Sequence, residues 1–221
     1  RRRMDPVLGI RSLKESRSLQ LKVKVPNKVI EPLTTTQVKQ FLKNIYRYRD
    51  QAILYLMLLC GLRSCEILTL KLTDVNMHEN VVRVRGKGNK DRVLPLPDIL
   101  LAVIDKFVRL ERPTISKTKN LFVVLQGSRR GEPMTPSGLR SLFRNRRRSS
   151  GVLNANPHRL RHTFGADQAR SGVSLPILQR MMGHYDPEMT LNYIRLSVHD
   201  ISEEYLQTVK KLQKRYALSK N

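Results

Sequence analysis

Val81-Val82-Arg83-Val84-Arg85-Gly86-Lys87-Gly88-Asn89-Lys90-Asp91-Arg92-Val93-Leu94-Pro95 is the stretch on which the fold class turns. Two runs rich in valine flank a turn where Gly86 and Gly88 permit backbone angles that most residues resist, so a bent two-stranded hairpin is predicted. Around it the period is helical. Thr34, Thr35 and Thr36 can cap a helix with Val38, Phe41, Leu42 and Ile45 on one side. Residues 51–60 are apolar nearly all round, as in a central buried helix, and Gly61 interrupts them. A helix is expected over 96–110, capped near Asp98, then a short strand over 120–125 and a polar loop over 127–135. Helical segments follow at 137–148, 157–171, 174–182, 187–194 and 200–216. Pro157, Pro176 and Pro187 suit first turns, where a missing backbone donor costs nothing. The expected fold is mostly α with a small antiparallel β-sheet (α+β), without internal repeats.

Charge narrows the partners. The 221 residues carry 42 Lys and Arg against 18 Asp and Glu, a formal net charge of +24. Such a surplus repels itself unless a polyanion neutralises it, and nucleic acid is the natural one, bound with steep salt dependence. A hydrophobic content of 40% is enough for a core. No apolar run reaches membrane-spanning length, and no signal segment follows the opening arginines. Residues 1–30 read as a basic linker or arm with a short strand over 19–25. Their start without methionine is expected of a fragment cut from a longer protein that has an upstream DNA-binding domain. Cys60 and Cys65 make no metal-ligand pattern and are expected reduced, on or near buried helix faces.

Against this background a set of polar residues stands out. His158 and Arg161, three apart in the first turn of a helix, can reach one anion together with the helix's own positive end, or can be ordinary surface residues. Arg63, at a junction of apolar helices, needs an acceptor. Glu66 one turn on can hold it while a substrate oxygen takes another face, or the two form a simple pair. Lys87 at the hairpin tip can protonate a leaving oxygen or merely clamp backbone phosphate. His184 follows Gly183 at a helix break and can donate to a phosphoryl oxygen or cap its helix. Tyr193, a phenol of ordinary pKa about 10, is a poor nucleophile alone, but neighbouring cations would favour its anion and stabilise a pentavalent phosphate. Its alternative is packing beside Leu196. His162 is read as a helix-packing histidine. No Gly-x-x-x-x-Gly-Lys-Ser/Thr phosphate loop and no convincing metal site is present.

Taken in order, Gly61-Leu62-Arg63-Ser64-Cys65-Glu66, Gly86-Lys87-Gly88-Asn89-Lys90-Asp91-Arg92, His158-Arg159-Leu160-Arg161-His162-Thr163-Phe164, Gly183-His184 and Tyr193 resemble the tyrosine recombinase or phage integrase family, including Xer-type recombinases and transposon integrases. The resemblance implies that Arg63 and Arg161 clamp the scissile phosphate, and that His158 contacts it and assists proton transfer. Lys87 would be general acid toward the departing 5′-oxygen, and His184 would donate to the phosphate. Glu66 would support these residues, and Tyr193 would attack to give a 3′-phosphotyrosine. No cofactor and no metal is implied.

The implied domains are a basic linker or arm over 1–30, left from a missing amino-terminal core-binding domain, a catalytic domain over 31–197, and an amphipathic terminal helix and tail over 198–221. Ile201, Tyr205, Val209 and Leu212 recur there at helical spacing. The resemblance implies that this tail packs on a neighbouring protomer in a homo-tetrameric synapse. The implied partner is double-stranded DNA carrying a recombination site. The implied setting is cytoplasmic and nucleoid- or DNA-associated, in a bacterium or encoded by a mobile element. Arg129, Arg130, Arg140, Arg144, Arg146, Arg147 and Arg148 are candidate DNA contacts that position the duplex. A type IB topoisomerase and a catalytically silent DNA-binding assembly module are the competing readings.

Overall fold

A computed structural model describes residues 31–86 and 91–183. Within them, helices α1 (Thr35–Leu42), α2 (Tyr48–Leu59) and α3 (Ser64–Thr69) precede strands β1 (Val75–Asn76), β2 (Val81–Arg85) and β3 (Asp91–Pro95). Then come α4 (Asp98–Lys106), α5 (Pro136–Ser150), α6 (Pro157–Arg170) and α7 (Leu175–Met182). The α+β expectation therefore holds. The expected tip at Lys87, the strand over 19–25 and the helices over 187–194 and 200–216 lie outside the described residues.

Helix starts follow local chemistry. The Thr34 hydroxyl accepts from the Gln37 N–H at 3.2 Å, and the Gln37 amide oxygen accepts from the Thr34 N–H at 3.0 Å, a reciprocal cap that opens α1. Thr135 and Asn156 cap α5 and α6, each with proline at the first helical position. α2 has no cap of its own. The Glu111 carboxylate instead accepts the Tyr48 and Arg49 N–H groups, each at 2.9 Å. Glu111 gets there because the expected helix over 96–110 is regular only to Lys106. It then widens into a π-turn over Phe107–Glu111, closed by Arg112 N–H donating to the Phe107 carbonyl at 2.9 Å.

α2 is the core helix, with Ala52, Ile53, Leu54, Leu56 and Met57 buried, and it packs against α4 and α6. The sheet runs β1-β2-β3, antiparallel throughout, with Val82 opposite Leu94 and Val84 opposite Arg92. Strand alternation puts Val82, Val84, Arg92 and Leu94 on the inner face and Arg83, Arg85 and Val93 outside. β1 was not anticipated, because two residues are too few to show a period.

Two expectations fail. Residues 120–125 form no strand: Leu121 N–H donates to the Leu70 carbonyl at 2.7 Å, while Met134 N–H donates to the Phe122 carbonyl at 3.0 Å. The segment thus bridges two different neighbours, Lys71↔Asn120 and Val123↔Pro133, without a continuous ladder. Its apolar run reflects burial of Leu121, Phe122 and Val123 rather than a strand. Both cysteines are free thiols and Cys60 is buried as expected, with its thiol pushed up to about 12 by burial against the lowering influence of Arg92. Cys65 is exposed, since α3 turns Glu66 and Ile67 inward instead.

Most buried apolar residues form one core. Phe164, Leu178 and Met182 make a smaller one between α6 and α7. This second cluster brings the end of α7 beside the start of α3.

Candidate active site

Three arginines from three elements converge on the last carbonyls of α7. Arg92 on β3 donates from Nε to the Met181 carbonyl at 2.8 Å, Arg161 on α6 from Nη2 to Met182 at 2.5 Å, and Arg63 before α3 from Nη2 to Gly183 at 3.2 Å. The last carbonyls of a helix carry the negative end of its dipole, so cations collect there. Gly183 closes the helix at φ 59°, and a Cβ there would stand 3.1 Å from Arg92 Nη1. Glycine is favoured both by that angle and by the close approach.

Arg161 is buried, and its Nη1 also donates to the Gly61 carbonyl. Gly61 has φ 64° and lies against the Phe164 ring, which ties the end of α2 to α6. Arg63 stays about one-third exposed although its guanidinium bonds both Glu66 and the Gly183 carbonyl.

Glu66 is the hub. Its Oε1 accepts from Arg63 Nη1 at 3.0 Å and Arg92 Nη1 at 2.9 Å, and its Oε2 from Arg63 N–H at 2.8 Å and Arg92 Nη2 at 2.8 Å. Burial pushes this carboxyl upward, but the bond to Arg92, its charge, the Arg63 N–H and the Arg161 charge outweigh that and hold it below the usual range. Glu66 is therefore an anion throughout the neutral range.

His158 lies one turn before Arg161 on the exposed side of α6, with its Nε2 at 3.1 Å from His162 Nε2 and the rings edge to face. Burial, then Arg161 and Arg63, lowers the His158 pKa. Burial, then His158, Arg161 and Arg159, lowers that of His162 to about 4. Both imidazoles are neutral at neutral pH, so one ring donates and the other accepts in their mutual bond. A neutral His158 beside two arginines is suited to take a proton near an anion they hold.

The fold thus gathers Arg63, Glu66, His158 and Arg161 from separate segments. Lys87, His184 and Tyr193 lie outside the described residues. Arg92 went unassigned in the sequence. Its signal was alternation: with Leu94 inward, Arg92 is inward too, and a guanidinium on that face needs acceptors.

Among the candidate DNA contacts, Arg140, Arg144 and Arg148 recur four apart on the exposed face of α5, and Arg130 is exposed. Arg147 is half-buried, while exposed Arg129 pairs with Glu132 at 2.6 Å. Arg146 points the other way. Its guanidinium donates to the carbonyls of Phe41 at 2.5 Å, Lys43 at 2.6 Å and Asn44 at 3.3 Å, tying α5 to the end of α1. Among the described residues no group of three or more His, Cys, Asp or Glu side chains could hold a metal, and no helix is long and apolar enough to cross a membrane.

A helical domain with a three-stranded antiparallel sheet is the fold of the tyrosine recombinase catalytic domain. Residues 31–199 match the phage integrase family, and the chain belongs to it. It is 32% identical over 178 residues to tyrosine recombinase XerC of Staphylococcus haemolyticus, covering 80% of this chain and 58% of that protein. It is also 32% identical over 181 residues to XerA of Pyrococcus horikoshii, covering 81% and 62%. The chain therefore spans about three-fifths of these relatives. The crystal structure of XerA recombinase aligns at TM-score 0.69 and 25% identity, over 80% of this chain and 65% of that one. XerH bound to palindromic difH substrate, a post-cleavage complex, aligns at TM-score 0.67 and 21% identity, over 81% and 53%, a likeness of fold.

Proposed function

We propose that this chain is the catalytic part of a site-specific DNA recombinase that cuts and rejoins strands through a 3′-phosphotyrosine. The observation that carries the reading is that Arg63, braced by a buried Glu66, lies with Arg161 and His158 at one site on a chain of net charge +24.

Arg63 and Arg161 present fixed donors to the nonbridging oxygens of a phosphate, exchanging their α7 carbonyls for it, and stabilise the charge that builds as phosphorus becomes pentavalent. The Tyr193 oxygen forms the new bond to phosphorus as its proton passes to His158. The bond from phosphorus to the 5′-oxygen breaks, with Lys87 supplying the departing oxygen's proton and His184 donating to the phosphate. A 5′-hydroxyl of another strand then reverses the sequence. One phosphate ester replaces another, so the bond energy is kept and no nucleotide is consumed.

In this reading residues 31–197 are catalytic, and the basic residues 1–30 are a linker or arm to a core-binding domain. The amphipathic positions Ile201, Tyr205, Val209 and Leu212 support packing of residues 198–221 on a neighbouring protomer in a tetrameric synapse. Arg130, Arg140, Arg144, Arg147 and Arg148, with Arg129 once freed from Glu132, would line the duplex. A nucleoid-associated setting follows from that activity.

A nicked suicide duplex trapped without metal tests the central step. Wild type is expected to give a covalent adduct and Tyr193→Phe none, with DNA binding kept; an equal adduct in the variant refutes the assignment. Exchange between two sites, rather than relaxation of supercoils, then separates recombinase from topoisomerase.

A further inference from the structure

The geometry points to Arg92 as the residue that positions Arg63 for phosphate, acting through Glu66 and the end of α7. The inference rests on the recombinase reading and deepens it. A carboxylate has about four lone-pair sites. Glu66 has all four filled, two by Arg63 and two by the Arg92 fork. The fork fixes the carboxylate plane, because two parallel bonds permit one orientation where a single bond permits many.

That plane decides where Arg63 points. With Arg92 holding one side of each oxygen, Arg63 bonds Oε1 through Nη1 alone and turns Nη2 toward the Gly183 carbonyl. If the fork is lost, Glu66 can turn and capture Arg63 through both oxygens, drawing the guanidinium away from the phosphate. The third donor of Arg92, Nε, holds the Met181 carbonyl and so keeps the end of α7 against the same cluster. Arg92 is only 11% exposed and its fork is spent on Glu66, so it acts on phosphate through Arg63 rather than by contact. A misplacement of about 1 Å at a reacting centre costs about a hundredfold in rate.

Arg92→Lys keeps the charge but cannot form the fork. The full chain and this variant are compared on nicked duplexes selected from a random-sequence pool by affinity for wild type. The variant is expected to form adduct at least tenfold more slowly, with DNA affinity within twofold. A second set of duplexes carries a 5′-bridging phosphorothiolate, whose thiolate leaves without needing a proton. The defect is expected to persist there, because the phosphate clamp and not the acid has been disturbed. Wild-type speed in the variant, loss that merely follows DNA affinity, or rescue by the thiolate would each overturn the inference.

Binding of tungstate, a tetrahedral dianion, to the DNA-free chain gives a readout without catalysis. At least fivefold weaker binding by Arg92→Lys is expected, measured well below the melting temperature of either protein. Equal binding, or none by wild type, overturns the role of Arg92. A wild type that binds tungstate but forms no adduct defeats the recombinase reading alone.

Discussion

Replacing Gly61 by alanine tests how the clamp is built. An added Cβ would meet the Phe164 ring at 2.4 Å from Cδ1, 2.7 Å from Cε1 and 3.3 Å from Cγ. Contacts under 3 Å do not survive, so the ring or the α2–α3 junction must move. At φ 64° alanine also carries the left-handed penalty, about 1–2 kcal/mol. Overpacking a filled site adds about 1–3 kcal/mol. Together about 2–5 kcal/mol is expected, or about 4–20 °C in Tm for a domain of this size. Urea unfolding followed by circular dichroism measures it.

The ring lies one turn past Arg161, whose Nη1 bonds the Gly61 carbonyl, so adduct formation should fall by more than the folded fraction does. Gly61→Ala with Phe164→Leu should recover part of the steric loss and none of the backbone penalty. A single variant within about 0.5 kcal/mol of wild type, the ordinary range for neutral sites, would refute the reasoning.

Arg146→Ala should destabilise the chain by about 1–3 kcal/mol through three lost carbonyl contacts, with little change in DNA affinity, as read by unfolding and filter binding. Arg144→Ala on the exposed face should do the opposite, weakening all duplexes alike and lowering the salt slope by about 1. The folded His162 pKa of about 4 lies below the unfolded 6.5, so the unfolded chain binds more protons between them. Stability should be full above 6.5 and fall as pH drops toward 4, and His162→Gln should flatten that decline in urea titrations at pH 7, 5.5 and 4.5.

Local chemistry wrote much of the fold into the sequence. The Thr34 cap, the proline of α6, the alternation of β2 and the apolar girth of α2 act over a few residues, and each predicted its element. The misses depend on distant partners. Glu111 caps α2 from more than sixty residues away, and residues 120–125 divide their hydrogen bonds between two neighbours. Arg140, Arg144 and Arg146 look alike in sequence, but position on α5 turns the first two to solvent and Arg146 onto α1.

By itself the sequence determined which groups could meet a phosphate, because side-chain chemistry and spacing within one helix travel with the chain. Arg63, His158 and Arg161 were legible on that ground. Only the tertiary structure decided how they are held. α7 brings three carbonyls to three arginines, and β3 delivers Arg92 to Glu66. A buried carboxylate selects its partners by distance in space, and nothing in the spacing of residues 63, 66 and 92 states that distance.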